Sequence, residues 1–146
     1  MSPTVALLGV VMLLGVATVT GLLLRSKAAR GGRVREVRGE DRLFPAAFGT
    51  ISFGATGTIV QFSTEYCSRC PGVRRVLSEL SSNRSGLEFV HVDLTHNPAL
   101  ATRFSVLQTP TVLLLDGEGR PRVHLSGQLS QSRLSQAIDT LTGGTP

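Results

Sequence analysis

The chain has 146 residues, with 15 lysines and arginines against 10 acidic residues and a formal net charge of +5. This length fits one small domain plus an appendage. The two cysteines are too few for a disulfide scaffold, so they are reactive, metal-binding or incidental. The absence of tryptophan and the single tyrosine disfavour a surface that stacks nucleic-acid bases.

The positive charge is concentrated in one stretch. Residues 25–42 contain seven basic side chains and three acids, a balance of +4, whereas residues 43–146 contain eight arginines and seven acids, a balance of +1. The main domain is therefore nearly neutral. We predict no nucleic-acid partner.

Residues 5–24 form an uncharged run rich in Val, Leu, Ala and Gly, long enough to span a bilayer as one helix. A cleaved signal peptide is the alternative, but the first four residues carry no basic side chain and the apolar run is too long. We therefore predict a retained anchor over residues 1–24, with the lipid bilayer as a partner. With one such run, the protein is predicted to be a single-pass protein of the cell membrane.

The basic residues 25–42 follow the anchor, and their glycines and dense charge predict a flexible juxtamembrane linker. Their charge also attracts anionic headgroups, and by the positive-inside rule it predicts that residues 25–146 are cytoplasmic. Apolar content returns at Leu43, so we expect the main domain at 43–142 and a disordered tail at 143–146.

The main domain alternates strand and helix patterns. The predicted elements are a strand at 58–63, a helix from the cysteines to about 82, a strand at 87–93, a short helix at 98–104, strands at 111–115 and 122–125 joined by a turn at 116–119, and a helix at 130–141. The order β-α-β-α-β-β-α predicts an α/β fold with a central mixed sheet of four to five strands flanked by helices.

Both cysteines lie where the first predicted strand meets the first predicted helix. Residues three apart at a helix start lie on one face, close enough for a disulfide. The unpaired N–H groups and the positive end of the helix dipole favour a thiolate there. We expect Cys67 to be exposed, Cys70 to lie one turn further in, and Pro71 to fit the first helical turn.

A metal site is the alternative use of these cysteines. Cys67 and Cys70 could join His91 and His96 in a zinc site. The gap between the cysteines and the histidines is longer than in zinc-finger patterns, and His91 lies within an alternating strand. We therefore predict no metal and no cofactor, and we interpret His124 as a surface residue.

Three landmarks over residues 58–141 resemble the thioredoxin family. They are Phe62 followed by Cys67-Ser68-Arg69-Cys70, then Val92-Asp93 with Asn97-Pro98 and Phe104-Ser105-Val106, and finally Thr109-Pro110-Thr111 before an apolar strand, with Gly127 opposite. The resemblance implies a thioredoxin fold and a disulfide oxidoreductase. It also implies that Pro110 is cis and packs beside the sulfurs, and that the Thr109 backbone pairs with substrate.

Several residues depart from the family pattern. Tyr66 replaces the usual tryptophan, and Ser68-Arg69 replaces Gly-Pro. Gln61 stands where the family keeps a buried Asp, and we align the Lys that pairs with this Asp near Phe89. Losing both partners together avoids a lone buried charge. It leaves open whether water or a substrate group deprotonates Cys70.

The implied mechanism is attack of the Cys67 thiolate on a protein disulfide, followed by resolution by Cys70. Arg69 would lower the pKa of Cys67 or simply face solvent, and Tyr66 would form an apolar rim or fill the core. In the cytoplasm the pair would act as a reductase supplied by an unidentified electron donor. If the orientation is reversed, oxidation or isomerisation fits equally. A thioredoxin-fold binding module with little turnover is a further alternative.

Overall fold

The computed structural model describes residues 3–29, 33–36, 42–49 and 52–143. The chain divides into two compact units, Met1–Gly31 and Gly32–Pro146. In the first unit, helix α1 extends from Pro3 to Ala29. Its segment Leu7–Leu24 is long and apolar enough to cross a membrane, and none of it is buried. A signal sequence has the same character, so α1 is a candidate span.

The second unit contains the remaining elements. They are strand β1 (Arg33–Glu36), a 3₁₀ helix (Pro45–Phe48), β2 (Gly57–Ser63), α2 (Cys70–Ser82), β3 (Leu87–Asp93), α3 (Pro98–Arg103), β4 (Thr111–Asp116), β5 (Pro121–Ser126) and α4 (Gln131–Leu141). From β2 to α4 this is the predicted order. The prediction of an α/β fold with a mixed sheet is confirmed.

The five strands form one sheet in the order β1-β5-β4-β2-β3. β2 pairs in parallel with β3 and antiparallel with β4, and β5 is antiparallel to both β4 and β1. All seven residues of β2 are buried, so this strand runs through the middle of the core. A strand buried on both faces explains the nearly continuous apolar run that precedes the cysteines.

The core lies on both faces of the sheet. On one face, Ile59 and Leu114 pack with Val73 and Leu77 of α2 and Ile138 of α4. The other face carries a second cluster that includes α3 and the 3₁₀ helix, with buried members Phe48, Val60, Phe62, Val90, Val92, Leu94, Leu113 and Leu115. Alternate residues of β2 therefore point to different helices, and Gln61 and Ser63 share the face of Ile59.

The structure differs from the predicted linker at residues 25–42. α1 continues to Ala29, and Arg33–Glu36 forms β1 along β5. Arginines at alternate positions of an exposed edge strand are compatible with pairing, because only one side of the strand needs a partner. Apart from Gly143, the predicted tail lies outside the described residues.

The prediction that His124 is a surface residue is wrong. His124 lies on β5 between Arg35 of β1 and Leu113 of β4. It is half-buried, and its Nε2 atom is buried without a hydrogen-bond partner among the described residues. Burial, followed by the charge of Arg35, lowers the pKa of His124. Arg35 of β1 is therefore one of the neighbours that set the ionisation of His124.

Candidate active site

The two cysteines form a disulfide at the start of α2. Their Cα atoms are 5.4 Å apart, within the usual range for this bond. Cys67 precedes the helix and is partly exposed, whereas Cys70 is the first helical residue and is 5% exposed. Pro71 follows in the first turn, where its missing N–H costs no helical hydrogen bond. The Cys67 sulfur can thus contact a substrate, whereas the Cys70 sulfur is buried behind it.

Backbone and side-chain hydrogen bonds hold the turn that carries Cys67. The Cys67 N–H donates to the Thr64 carbonyl at 3.1 Å, and the Glu65 N–H donates to Thr95 Oγ1 at 2.9 Å. Thr95 in turn donates to the Asp93 carboxylate through its N–H and its hydroxyl, which lowers the pKa of Asp93. Asp93 therefore caps the end of β3.

The electrostatic surroundings of Cys67 are positive. No acidic residue occupies the first turn of α2, and Arg69 is the N-cap residue but makes no side-chain capping bond. The positive dipole end of the helix therefore lies beside the disulfide, and the Cys70 N–H donates to the Cys67 carbonyl at 3.2 Å. Arg69 is exposed, so its charge adds to this field from the solvent side. Both features favour a thiolate over a thiol at this position.

Two large apolar side chains protrude near this end of the sheet. Tyr66 is 85% exposed, so it does not fill the core. An interaction with the Glu65 carboxylate raises the pKa of Tyr66 and keeps its hydroxyl protonated. Leu107, in the loop that leads to β4, is 93% exposed and was missed by the sequence analysis. Nothing in its local pattern distinguishes it from a core leucine.

The Thr109–Pro110 peptide bond is cis, and Pro110 is buried. Thr111 pairs with Phe62 in the sheet, so the residues before β4 and the residues after β2 lie at the same end. The Gly127 N–H donates to the Pro110 carbonyl at 3.3 Å. Gly127 has φ of 86°, a conformation that favours glycine. The bond is thus cis, as the resemblance implied, and Gly127 lies opposite the loop.

Gln61 lies under the disulfide and is fully buried. Its side-chain Nε2 donates to the Cys70 carbonyl at 3.0 Å. This bond fixes the orientation of the amide, because only the nitrogen can donate to a carbonyl. Oε1 is consequently left buried without a partner within the part of the chain that the structure describes. Gln61 therefore holds the backbone of Cys70 but cannot take its proton.

Phe89, the position aligned with the Lys of the family's buried pair, lies on β3, the strand that pairs in parallel with the strand of Gln61. Phe89 pairs with Ile59, and the residue of β3 in register with Gln61 is His91. A parallel register of this kind places both side chains on the same face of the sheet. The neighbour of Gln61 is thus titratable. The sequence pattern indicated either a half-buried strand histidine or a metal ligand, because strand register is not visible in a local pattern.

The proposed metal ligands do not come together. Cys67 and Cys70 are bonded to each other, and His91 Nε2 is 2.6 Å from Ser63 Oγ. Within residues 3–29, 33–36, 42–49 and 52–143, no group of three or more His, Cys, Asp or Glu side chains could hold an ion. The arrangement of the cysteines is suited to disulfide exchange.

A disulfide at the start of a helix, with one sulfur accessible and a cis proline at the same end of a mixed sheet, defines a thiol–disulfide oxidoreductase site. The thioredoxin family model matches residues 48–140. The chain belongs to the thioredoxin family.

Individual relatives agree with this assignment. The chain is 27% identical over 82 residues to thioredoxin from Staphylococcus haemolyticus. This match covers 56% of this chain and 78% of the relative. It is 32% identical over 77 residues to the bifunctional thioredoxin reductase/thioredoxin of Mycobacterium leprae, covering 52% of this chain and 17% of that protein. A mutant thioredoxin from Halobacterium salinarum has the same fold, with a TM-score of 0.55 at 22% identity over 62% of this chain and 79% of that one.

Proposed function

We propose that this protein is a membrane-tethered reductase of protein disulfides. The observation that carries the proposal is the asymmetry of the pair, with Cys67 partly exposed before α2 and Cys70 buried at its first residue. The Cys67 thiolate attacks a substrate disulfide and forms a mixed disulfide, and the first substrate thiol leaves. Cys70 then attacks Cys67, releasing the second substrate thiol and restoring the disulfide seen in the structure.

The residues around the pair supply substrate contacts in this proposal. Tyr66 offers an exposed ring beside Cys67, and Arg69 supplies positive charge. Thr109 precedes the cis proline at the same end of the sheet, where its backbone can pair with an extended substrate segment. Pro110 shapes this edge beside the sulfurs.

Electrons must reach the oxidised pair from a donor of lower potential. The Mycobacterium leprae relative combines a thioredoxin reductase and a thioredoxin in one protein, as its name states. We therefore propose a thioredoxin reductase as the class of donor. The substrates are proteins that carry accessible disulfides.

We propose that α1 is retained as a single-pass anchor and that Gly32–Pro146 is the redox domain on the cytoplasmic side. The basic residues 25–42 after the apolar run support this sidedness. Arg33 pairs with Ser126, Ser126 with Thr111, and Thr111 with Phe62. The chain thus enters the sheet at the end that carries the disulfide.

Turnover separates a reductase from a binding module. We expect the full chain in detergent, supplied with a dithiol donor, to reduce insulin disulfides well above the rate of the donor alone. The reason is that an accessible thiolate beside a buried resolving thiol allows repeated exchange. The measurement is the rate of insulin precipitation at constant donor concentration. Binding of insulin without acceleration would instead support the module with little turnover.

Sidedness is tested in intact cells with single cysteines in a Cys67→Ser/Cys70→Ser background. We expect Arg38→Cys to react with a membrane-impermeant maleimide only after permeabilisation, because the positive residues stay inside. Ser2→Cys is the matched control and should react without permeabilisation. Labelling of Arg38→Cys on intact cells would reverse the orientation, and loss of the Ser2→Cys residue from the mature protein would show a cleaved signal.

A further inference from the structure

A polar cluster lies between the sheet and the first turns of α2. Gln61 and Ser63 of β2 and His91 of β3 share the face on which α2 packs, as the neighbouring Ile59 shows. Cys70 belongs to the buried stripe of α2 that faces this side. The cluster is therefore located beneath the resolving cysteine.

His91 is the titratable member of this cluster. Its Nε2 lies 2.6 Å from Ser63 Oγ, and Ser63 is 4% exposed. Three influences act on its ionisation. Burial and the charge of Arg74, one helical turn after Cys70, lower the pKa of His91, whereas Asp93 on its own strand opposes them. β2 contributes only the uncharged Gln61 and Ser63 on this face. The imidazole is consequently neutral near pH 7 and able to accept a proton.

The resolving step needs such an acceptor, because the attacking group is the thiolate and Cys70 is buried. Gln61 cannot serve, since an amide does not titrate. Arg74 is always protonated and cannot accept a proton either. Of the described groups in and above this cluster, His91 is the one with a proton-accepting form at neutral pH.

We propose that His91, acting through the hydroxyl of Ser63, accepts the proton of Cys70 during resolution of the mixed disulfide. This proposal rests on the proposed function. The thiol proton passes to the Ser63 oxygen while the Ser63 hydroxyl proton passes to His91 Nε2. The Cys70 thiolate bonds to the Cys67 sulfur, and the bond between Cys67 and the substrate sulfur breaks. The substrate sulfur leaves with the electron pair and takes a proton from water, and half-buried His91 returns its proton to solvent. Cys67 and Cys70 are oxidised and the substrate is reduced.

The test resolves the two chemical steps of one turnover. The reduced full chain in detergent is mixed in a stopped-flow instrument with 5,5′-dithiobis(2-nitrobenzoate). The first release of thionitrobenzoate reports attack by Cys67, and the second release reports resolution by Cys70. We expect the rate of the second phase to fall as the pH drops through the pKa of His91, because protonated imidazole accepts no proton.

His91→Gln should remove this inflection and slow the second phase at pH 7 by about a hundredfold, the lower end of the range for proton-transfer groups. The first phase should be unchanged, which also shows that the variant is folded. Ser63→Ala should also slow the second phase. The double variant with His91→Gln should be no slower than His91→Gln alone, because both substitutions interrupt the same proton transfer.

His124→Gln is the matched control, because His124 is also half-buried with a lowered pKa but lies on β5. Its second phase should match the wild type at every pH. A wild-type pH profile in His91→Gln, or an equal change in His124→Gln, would overturn the proposal while leaving the reductase function intact. Absence of both phases from the wild type would overturn the reductase function itself.

Discussion

Replacing Cys67 with serine is expected to reduce insulin-disulfide turnover to the uncatalysed rate, a loss on the order of 10³-fold or more, as for other nucleophiles that act as part of a catalytic unit. Serine keeps the size of the side chain but supplies no thiolate at neutral pH. The buried Cys70, 5% exposed, cannot reach a protein disulfide in its place. The measurement is the rate of insulin reduction by the full chain at equal protein concentration.

Cys70→Ser is the control for this result. It should also lose steady-state turnover, because no second thiol resolves the mixed disulfide. It should nevertheless release one substrate thiol per protein molecule in a single fast phase, because the intact Cys67 can still attack one disulfide. Ser68→Ala, between the two cysteines, should turn over like the wild type. Appreciable steady-state turnover in Cys67→Ser would contradict the assignment of the attacking sulfur.

Phe62→Ala is expected to lower the free energy of unfolding of the redox domain by about 3–5 kcal/mol, as for other buried phenylalanines. Phe62 is fully buried at the end of β2, with ring centroids 6.2 Å from Phe48 and 5.3 Å from Phe104. Removing the ring leaves a cavity and breaks the aromatic cluster that anchors α3 and the 3₁₀ helix. The measurement is pulse proteolysis of the full chain in detergent across a urea series.

Phe44→Ala removes the same ring from an exposed site, since Phe44 is 71% exposed. We expect a change within about 0.5 kcal/mol, as for other surface substitutions. Equal losses from both variants would show that the aromatic cluster does not determine the stability of the domain.

The elements from β2 to α4 could be predicted because their signals are local. The apolar run at Thr58–Ser63 and the helical spacing of Val73 and Leu77 each predict an element from neighbouring residues alone. The cysteines and Pro110 were found in the same way, because the distinctive residues stand in short motifs. The mixed character of the sheet then followed from the order of the elements.

β1 was not predicted, because Arg33-Val34-Arg35-Glu36 has one apolar residue among three charged ones. Its pairing with β5 depends on an edge that forms much later in the chain. The error for His124 has a related origin, since Arg35, which pairs with His124 in the sheet and lowers its pKa, is distant from it in the sequence. Local patterns contain no information about which distant strand completes a sheet.

The role proposed for His91 could not be predicted from the sequence, because it depends on the register of β2 and β3. Phe89 and His91 are two residues apart on β3, and both fit the alternation expected of a strand, so the local pattern does not decide which of them is in register with Gln61. The parallel pairing of β2 and β3 decides which side chain meets Gln61, and that pairing is a tertiary property. The departure from the family at Gln61 was visible in the sequence, but the group that compensates for it was not.

The separate roles of the two sulfurs, attack by Cys67 and resolution by Cys70, are tested most directly by trapping the mixed disulfide. Cys70→Ser and Cys67→Ser, each as the full reduced chain in detergent, are mixed with oxidised insulin and analysed by intact-mass spectrometry under non-reducing conditions. We predict that Cys70→Ser accumulates a covalent adduct with an insulin chain and that Cys67→Ser does not. An adduct formed by Cys67→Ser, or by neither variant, would contradict the account.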